Sequence, residues 1–129
     1  MSLSDAQALV SAFHEKFGAP APASPVSSDA LDLQAHHRRV NWIDDEIDEA
    51  VDALAVESVP DLADAYIDII VFALGGLVEL GIDGGPLFDA VMSANMTKIK
   101  LPGVAKIAKP ADFKHPDIAA LIAKQREGR

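Results

Sequence analysis

The stretch from Leu62 to Leu80 constrains the fold more than any other part of the chain. Placed on a helix, Leu62, Ile67, Ile69, Ile70, Leu74, Leu77 and Leu80 surround it almost completely, a distribution that belongs to a buried helix. One narrow stripe breaks the coverage: Asp61, Asp64, Asp68 and then Glu79. A single exposed face would place acids there, but the middle of the stripe is Val71, Phe72 and Gly75, so that face is not polar along its length. Asp68 also lies beyond the first turn, where helix-end electrostatics favour an acid. Carboxylates turned inward repel one another unless a cation lies between them, since unpaired buried charge is very unfavourable. Asp61 is read differently, because Ser58-Val59-Pro60-Asp61 resembles a capping arrangement at a helix start.

The punctuation around this helix predicts an all-α chain. Leu9, Val10, Phe13 and Phe17 recur at helical spacing over 4–17 and stop at Gly18. Residues 19–27 form a Pro-rich linker, and Ser27-Ser28-Asp29 is expected to cap a long helix running to about Val56. Ser58 and Pro60 open the third helix, which closes on Gly81; Asp83-Gly84-Gly85-Pro86 opens a fourth through Ala94. Residues 99–116 read as an irregular basic segment, followed by a short helix after Pro116-Asp117. No β-type alternation appears, so the expectation is a single domain over 1–129. Its core is a four-helix-type bundle, with an N-terminal helix and a basic tail.

On the second helix, taking Glu46 as zero, Val40, Ile43, Ile47, Ala50, Val51 and Leu54 fill an arc from about 40° to 140°. Glu46 borders that arc and Glu49 lies one helical step beside it. Asp45, Asp48 and Asp52 fall on the far side and read as solvated surface. Carboxylates three or four residues apart project from one face within reach of a common ion. Glu46, Glu49, Asp64 and Asp68 are therefore the candidate metal ligands. Oxygen-only ligands select hard cations, which makes Mg²⁺ the first choice and Mn²⁺ its substitute. A di-iron site would need Glu-x-x-His elements, and the sequence has none.

The net charge of −9 is unevenly spread: residues 96–129 hold eight of the 11 Lys and Arg, Arg129 among them, with only three acids. An acidic body repels nucleic acid, whereas cations on the body and lysines on the tail suit a small phosphorylated substrate. Without cysteine, the chain has neither disulfides nor thiolate chemistry. No membrane-length apolar run and no secretory leader are read, so a cytoplasmic protein is expected. Among the remaining candidates, His36 falls on the apolar side of the second helix as a core histidine, and His14, His37 and His115 lack ligand spacing. Trp42 suits a core or interface position, with base stacking as its other role.

The ordered series of motifs resembles the all-α nucleoside triphosphate (NTP) pyrophosphohydrolase superfamily, which includes MazG-like proteins, dimeric dUTPases and phosphoribosyl-ATP pyrophosphohydrolases. The resemblance rests on Phe13-His14 with Phe17-Gly18 and Pro25, then Arg39, Ile43, Glu46 and Glu49, then Asp68, and Leu80-Gly81-Ile82-Asp83. Ala94-Asn95-Met96-Thr97-Lys98 is similar to a Ser-Asn-Met-Ser-Lys signature. Lys109-Pro110, Phe113 and Pro116-Asp117-Ile118 are similar to the superfamily's C-terminal pattern. The second motif departs from the usual Glu-x-x-Asp, since Ala65 stands three before Asp68 and Asp64 one residue earlier. The resemblance implies Mg²⁺-dependent hydrolysis of a (deoxy)nucleoside triphosphate to monophosphate and pyrophosphate, in house-cleaning of the nucleotide pool. Phosphoribosyl-ATP hydrolysis and a non-catalytic helical interaction or regulatory module are the alternatives. It also implies Glu46 or Glu49 as proton acceptor, Lys98 as catalytic and phosphate-binding, and Arg39, Asn95 and Lys109 as substrate contacts. Arg39 has pairing with an acid as its other possible role. Two acidic helices cannot bury Ile67 to Leu80 alone, so a homodimer or a dimer of dimers is expected.

Overall fold

The structure, a computed structural model, describes residues 1–128; Arg129, counted above in the basic tail, lies outside the described residues. Its element order is α1 (Leu3–Phe17), a short 3₁₀ turn (Ser28–Ala30), α2 (Leu33–Ala55), α3 (Val59–Leu80), α4 (Gly84–Asn95) and α5 (Ile118–Glu127). There is no strand among the described residues, only an isolated antiparallel bridge between Ile99 and Ala108. The chain is all-α, as the punctuation predicts.

The helix ends follow from local chemistry. Ser2 and Asp5 form a reciprocal capping box on α1, and Gly18 ends it with φ 72°, a left-handed conformation that glycine adopts without a Cβ clash. The Ser58 hydroxyl accepts from the Asp61 amide to open α3, and Gly81 closes it with φ 69°. The second helix begins later than expected. Ser27-Ser28-Asp29 supports only the 3₁₀ turn, and the true cap is Asp32, whose carboxylate accepts from the Ala35 amide at 3.0 Å.

Helix α3 is the centre of the fold: α2 packs along it on one side and α1 on another, while α4 rests on α1 and α5 on α4. The Val26 amide donates to the Leu80 carbonyl (2.9 Å), which fastens the linker to the end of α3. The tail is tied in as well. Gln125 exchanges two 2.9 Å hydrogen bonds with the Asp83 backbone, and Arg126 donates to the carbonyls of Pro25 and Val26.

The buried apolar residues are small in number and size: Ala53, Ala65, Leu74, Val78 and Ile82. The least exposed positions of α2 run along one face, with Arg39, Glu46 and Ala53 spaced by seven residues and Ile43 and Ala50 of the apolar arc half-buried between them. Much of that arc faces outward, with Val40, Ile47, Val51 and Leu54 exposed beside Ile67 and Ile70 of α3. No single helix among the described residues is long and apolar enough to cross a membrane.

Candidate metal centre

Glu46 and Glu49 from α2 and Asp68 from α3 each present a carboxylate oxygen within 4.8 Å of the others. The α2–α3 hairpin makes this possible: Glu46 and Glu49 are one turn apart on α2, and Asp68 faces them from the antiparallel neighbour. Glu46 is half-buried, and its Oε2 is buried without a hydrogen-bond partner. Burial pushes its carboxyl up from 4.5 to about 7, followed by a proton shared with Glu49 and by the negative charges of Glu49, Asp68 and Asp64. Two carboxylates have no hydrogen to share until one takes a proton. A cation between the carboxylates would relieve this repulsion more fully than a proton. An orphaned buried oxygen, an all-oxygen donor set and mutual repulsion together fit a hard divalent ion.

Asp64 lies outside the set of three mutually close carboxylates, yet near enough for its charge to act on Glu46. It lines an open cleft of about 350 Å³ with Glu49, Asp52, Ala53, Val56 and Asp61. Asp52 is exposed, as the helical wheel places it, and lines this cleft as well. Asp61 shares the cleft, and the side chain that caps α3 is Ser58.

Arg39 is placed away from the open cleft. It is 7% exposed; its Nη2 donates to Glu79 Oε1 at 2.9 Å and its Nη1 to the Phe72 carbonyl at 3.2 Å. The guanidinium is engaged inside the chain, which is the acid-pairing role the sequence left open. Gly75 makes room for it, because a Cβ there would collide with Nη1 and stand 3.0 Å from Cζ. His36 joins the same group at 3.9 Å from Glu79, and buried His14 donates through Nδ1 to the Pro20 carbonyl at 2.9 Å. Trp42 packs near Phe72, ring centroids 5.7 Å apart, with the guanidinium groups of Arg38 and Arg39 at 5.9 and 5.4 Å from its ring.

Asn95 is the last residue of α4 and is half-buried. Lys98 and Lys109, eleven residues apart in sequence, converge on one ring: their Nζ atoms lie 5.6 and 5.5 Å from the Phe113 centroid.

Facing carboxylates from two packed helices, with a lysine pair on the following segment, are what the fold brings together. The profile of the phosphoribosyl-ATP pyrophosphohydrolase family matches residues 10–95, two thirds of the chain, and the chain belongs to that family. The match contains Arg39, Glu46, Glu49, Asp64, Asp68 and Asn95 and ends before Lys98. No curated protein matches the chain.

Proposed function

We propose that this chain hydrolyses a phosphoribosyl-ATP-type triphosphate between its α and β phosphorus atoms, leaving a nucleoside monophosphate and releasing pyrophosphate. The observation that carries this reading is the Glu46, Glu49 and Asp68 cluster with its unpartnered Glu46 oxygen, in a chain of this family. The family match favours such a substrate over the general house-cleaning of nucleoside triphosphates to which the sequence pattern first points.

Glu46, Glu49 and Asp68 would hold Mg²⁺, or Mn²⁺ in its place, with Asp64 on the open side. When bound, the ion supplies an acidified water and neutralises charge on the attacking and leaving oxygens. Glu46 or Glu49 takes the proton of the water that adds to the α-phosphorus, as the bond to the bridging oxygen breaks. Lys98 and Lys109 meet the β and γ phosphate oxygens as point charges, and Asn95 hydrogen-bonds the sugar or base. Arg39 serves the site from behind by fixing α2 against α3 through Glu79.

Residues 1–129 act as one domain, a reading supported by the bonds from Gln125 and Arg126 to the α3–α4 junction and the linker. The exposed apolar residues of α2 and α3 support a homodimer, or a dimer of dimers, in which a second copy covers Ile47, Val51, Ile67 and Ile70. The nucleotide substrate is in keeping with a cytoplasmic protein.

The test is to incubate purified protein and Mg²⁺ with phosphoribosyl-ATP and a panel of common and damaged nucleoside triphosphates, then identify every product. Pyrophosphate release, fastest from phosphoribosyl-ATP, is expected. Orthophosphate as the first product would contradict the bond assignment, and no turnover of any substrate would favour a non-catalytic helical module.

A further inference from the structure

The segment beyond the family match contains a local arrangement that its sequence alone does not display. Ile99 and Ala108 exchange two backbone hydrogen bonds of 2.8 Å, which close the loop between them and set Lys98 and Lys109 opposite each other at its base. Like charges placed opposite each other in this way repel. Neither ammonium has a carboxylate partner among the described residues, where the only ion pairs are those of Glu79. What holds them is Phe113: a turn in which its amide donates to the Pro110 carbonyl (3.1 Å) brings its ring within cation–π reach of both Nζ atoms. His115 packs edge-on against the ring, centroids 4.9 Å apart.

We propose that Phe113 is a positioning residue that gathers Lys98 and Lys109 into a two-pronged clasp for adjacent phosphate oxygens of the substrate. The attraction of each ammonium to the ring face offsets their mutual repulsion and keeps both side chains in place before an anion arrives. A polyphosphate then meets two preplaced charges and relieves the repulsion between them. A single phosphate engages the pair less fully. The clasp rests on the reading that these lysines contact phosphate, and extends it to the residue that aims them.

The experiment measures binding of inorganic tripolyphosphate by calorimetry and, separately, kcat and KM for the best substrate, in Phe113→Leu, Phe113→Tyr and Lys98→Met/Lys109→Met. Phe113→Leu keeps an apolar side chain but removes the ring face. It is expected to weaken tripolyphosphate binding and raise KM by roughly 5- to 10-fold with kcat little changed, from the loss of two cation–π contacts. Phe113→Tyr is expected to restore both values, and adding Phe113→Leu to the double lysine variant is expected to weaken binding no further. Unchanged binding in Phe113→Leu, or a loss that Phe113→Tyr does not rescue, would overturn the positioning role. Tripolyphosphate binding that depends on Phe113 and both lysines, with no nucleotide turned over, would leave the clasp standing while the proposed activity fails.

Discussion

Replacing Gly75 by alanine sets two effects of opposite sign against each other. In the middle of a helix, alanine is favoured over glycine by about 1 kcal/mol, so an unobstructed Gly75→Ala would stabilise α3. At this position the new Cβ would collide with Arg39 Nη1 and stand 3.2 Å from His14 Nε2. The guanidinium would have to leave, losing its 2.9 Å contact with Glu79 and its 3.2 Å bond to the Phe72 carbonyl. The side chains of Arg39 and Glu79 are 8% and 11% exposed, so Glu79 would be left nearly buried and without its main partner. Breaking a buried pair in this way costs about 3–5 kcal/mol. The steric effect wins, and the net loss is expected to be about 2–4 kcal/mol, or a fall of roughly 10 °C in Tm. Urea denaturation followed by circular dichroism, at fixed protein concentration, measures it. In a Glu79→Gln background the same substitution should cost at least about 1 kcal/mol less, because the charge it strands is gone. A stabilised Gly75→Ala variant, or identical costs in both backgrounds, would refute the idea that Gly75 exists to admit Arg39.

Three further outcomes follow from the site and its surroundings. Glu46 in the metal-free fold has its carboxyl raised from 4.5 to about 7, so its contribution to stability is fully present below 4.5 and is lost as pH rises through 7. With EDTA present, the urea midpoint should therefore fall between those values and Glu46→Gln should flatten the fall; a midpoint rising over that window in the wild type alone would contradict the sign. Ile67→Glu, at a position 57% exposed in the isolated chain, should convert an oligomer to a monomer by light scattering, and an unchanged mass would remove this face from the interface. Hydrolysis in ¹⁸O-water should place the label in the monophosphate, and label in the pyrophosphate would mean that water attacks the β-phosphorus instead.

The helix ends were legible because each is written in a few adjacent residues: Gly18, Ser58 with Pro60, Gly81 and Asp83 all act where the sequence places them. The start of α2 was misplaced because Ser27, Ser28 and Asp29 are all capping residue types. Only the path of the linker, fixed through Val26 to Leu80, decides that Asp32 is the one at the helix end. The wheel for α2 put Glu46 beside the apolar arc, but of that arc only Ile43 and Ala50 are half-buried and the rest is exposed, since an apolar arc can be turned toward a neighbouring helix or left for another surface. The cleft that Asp52 and Asp64 both line is built between two helices, and one wheel describes only one. The convergence of Lys98 and Lys109 on Phe113 depends on a backbone bridge across a loop, which no periodicity signals.

The most direct test of the carboxylate centre is Mg²⁺-dependent pyrophosphate release by the wild type, Glu49→Gln and Asp48→Asn, assayed side by side. Glu49 is one of the three converging carboxylates and Asp48 is its exposed neighbour outside that set. Glu49→Gln is expected to lose about 100-fold or more while Asp48→Asn stays within about twofold of the wild type. Equal losses in the two variants, or full activity in Glu49→Gln, would contradict the assignment of the site.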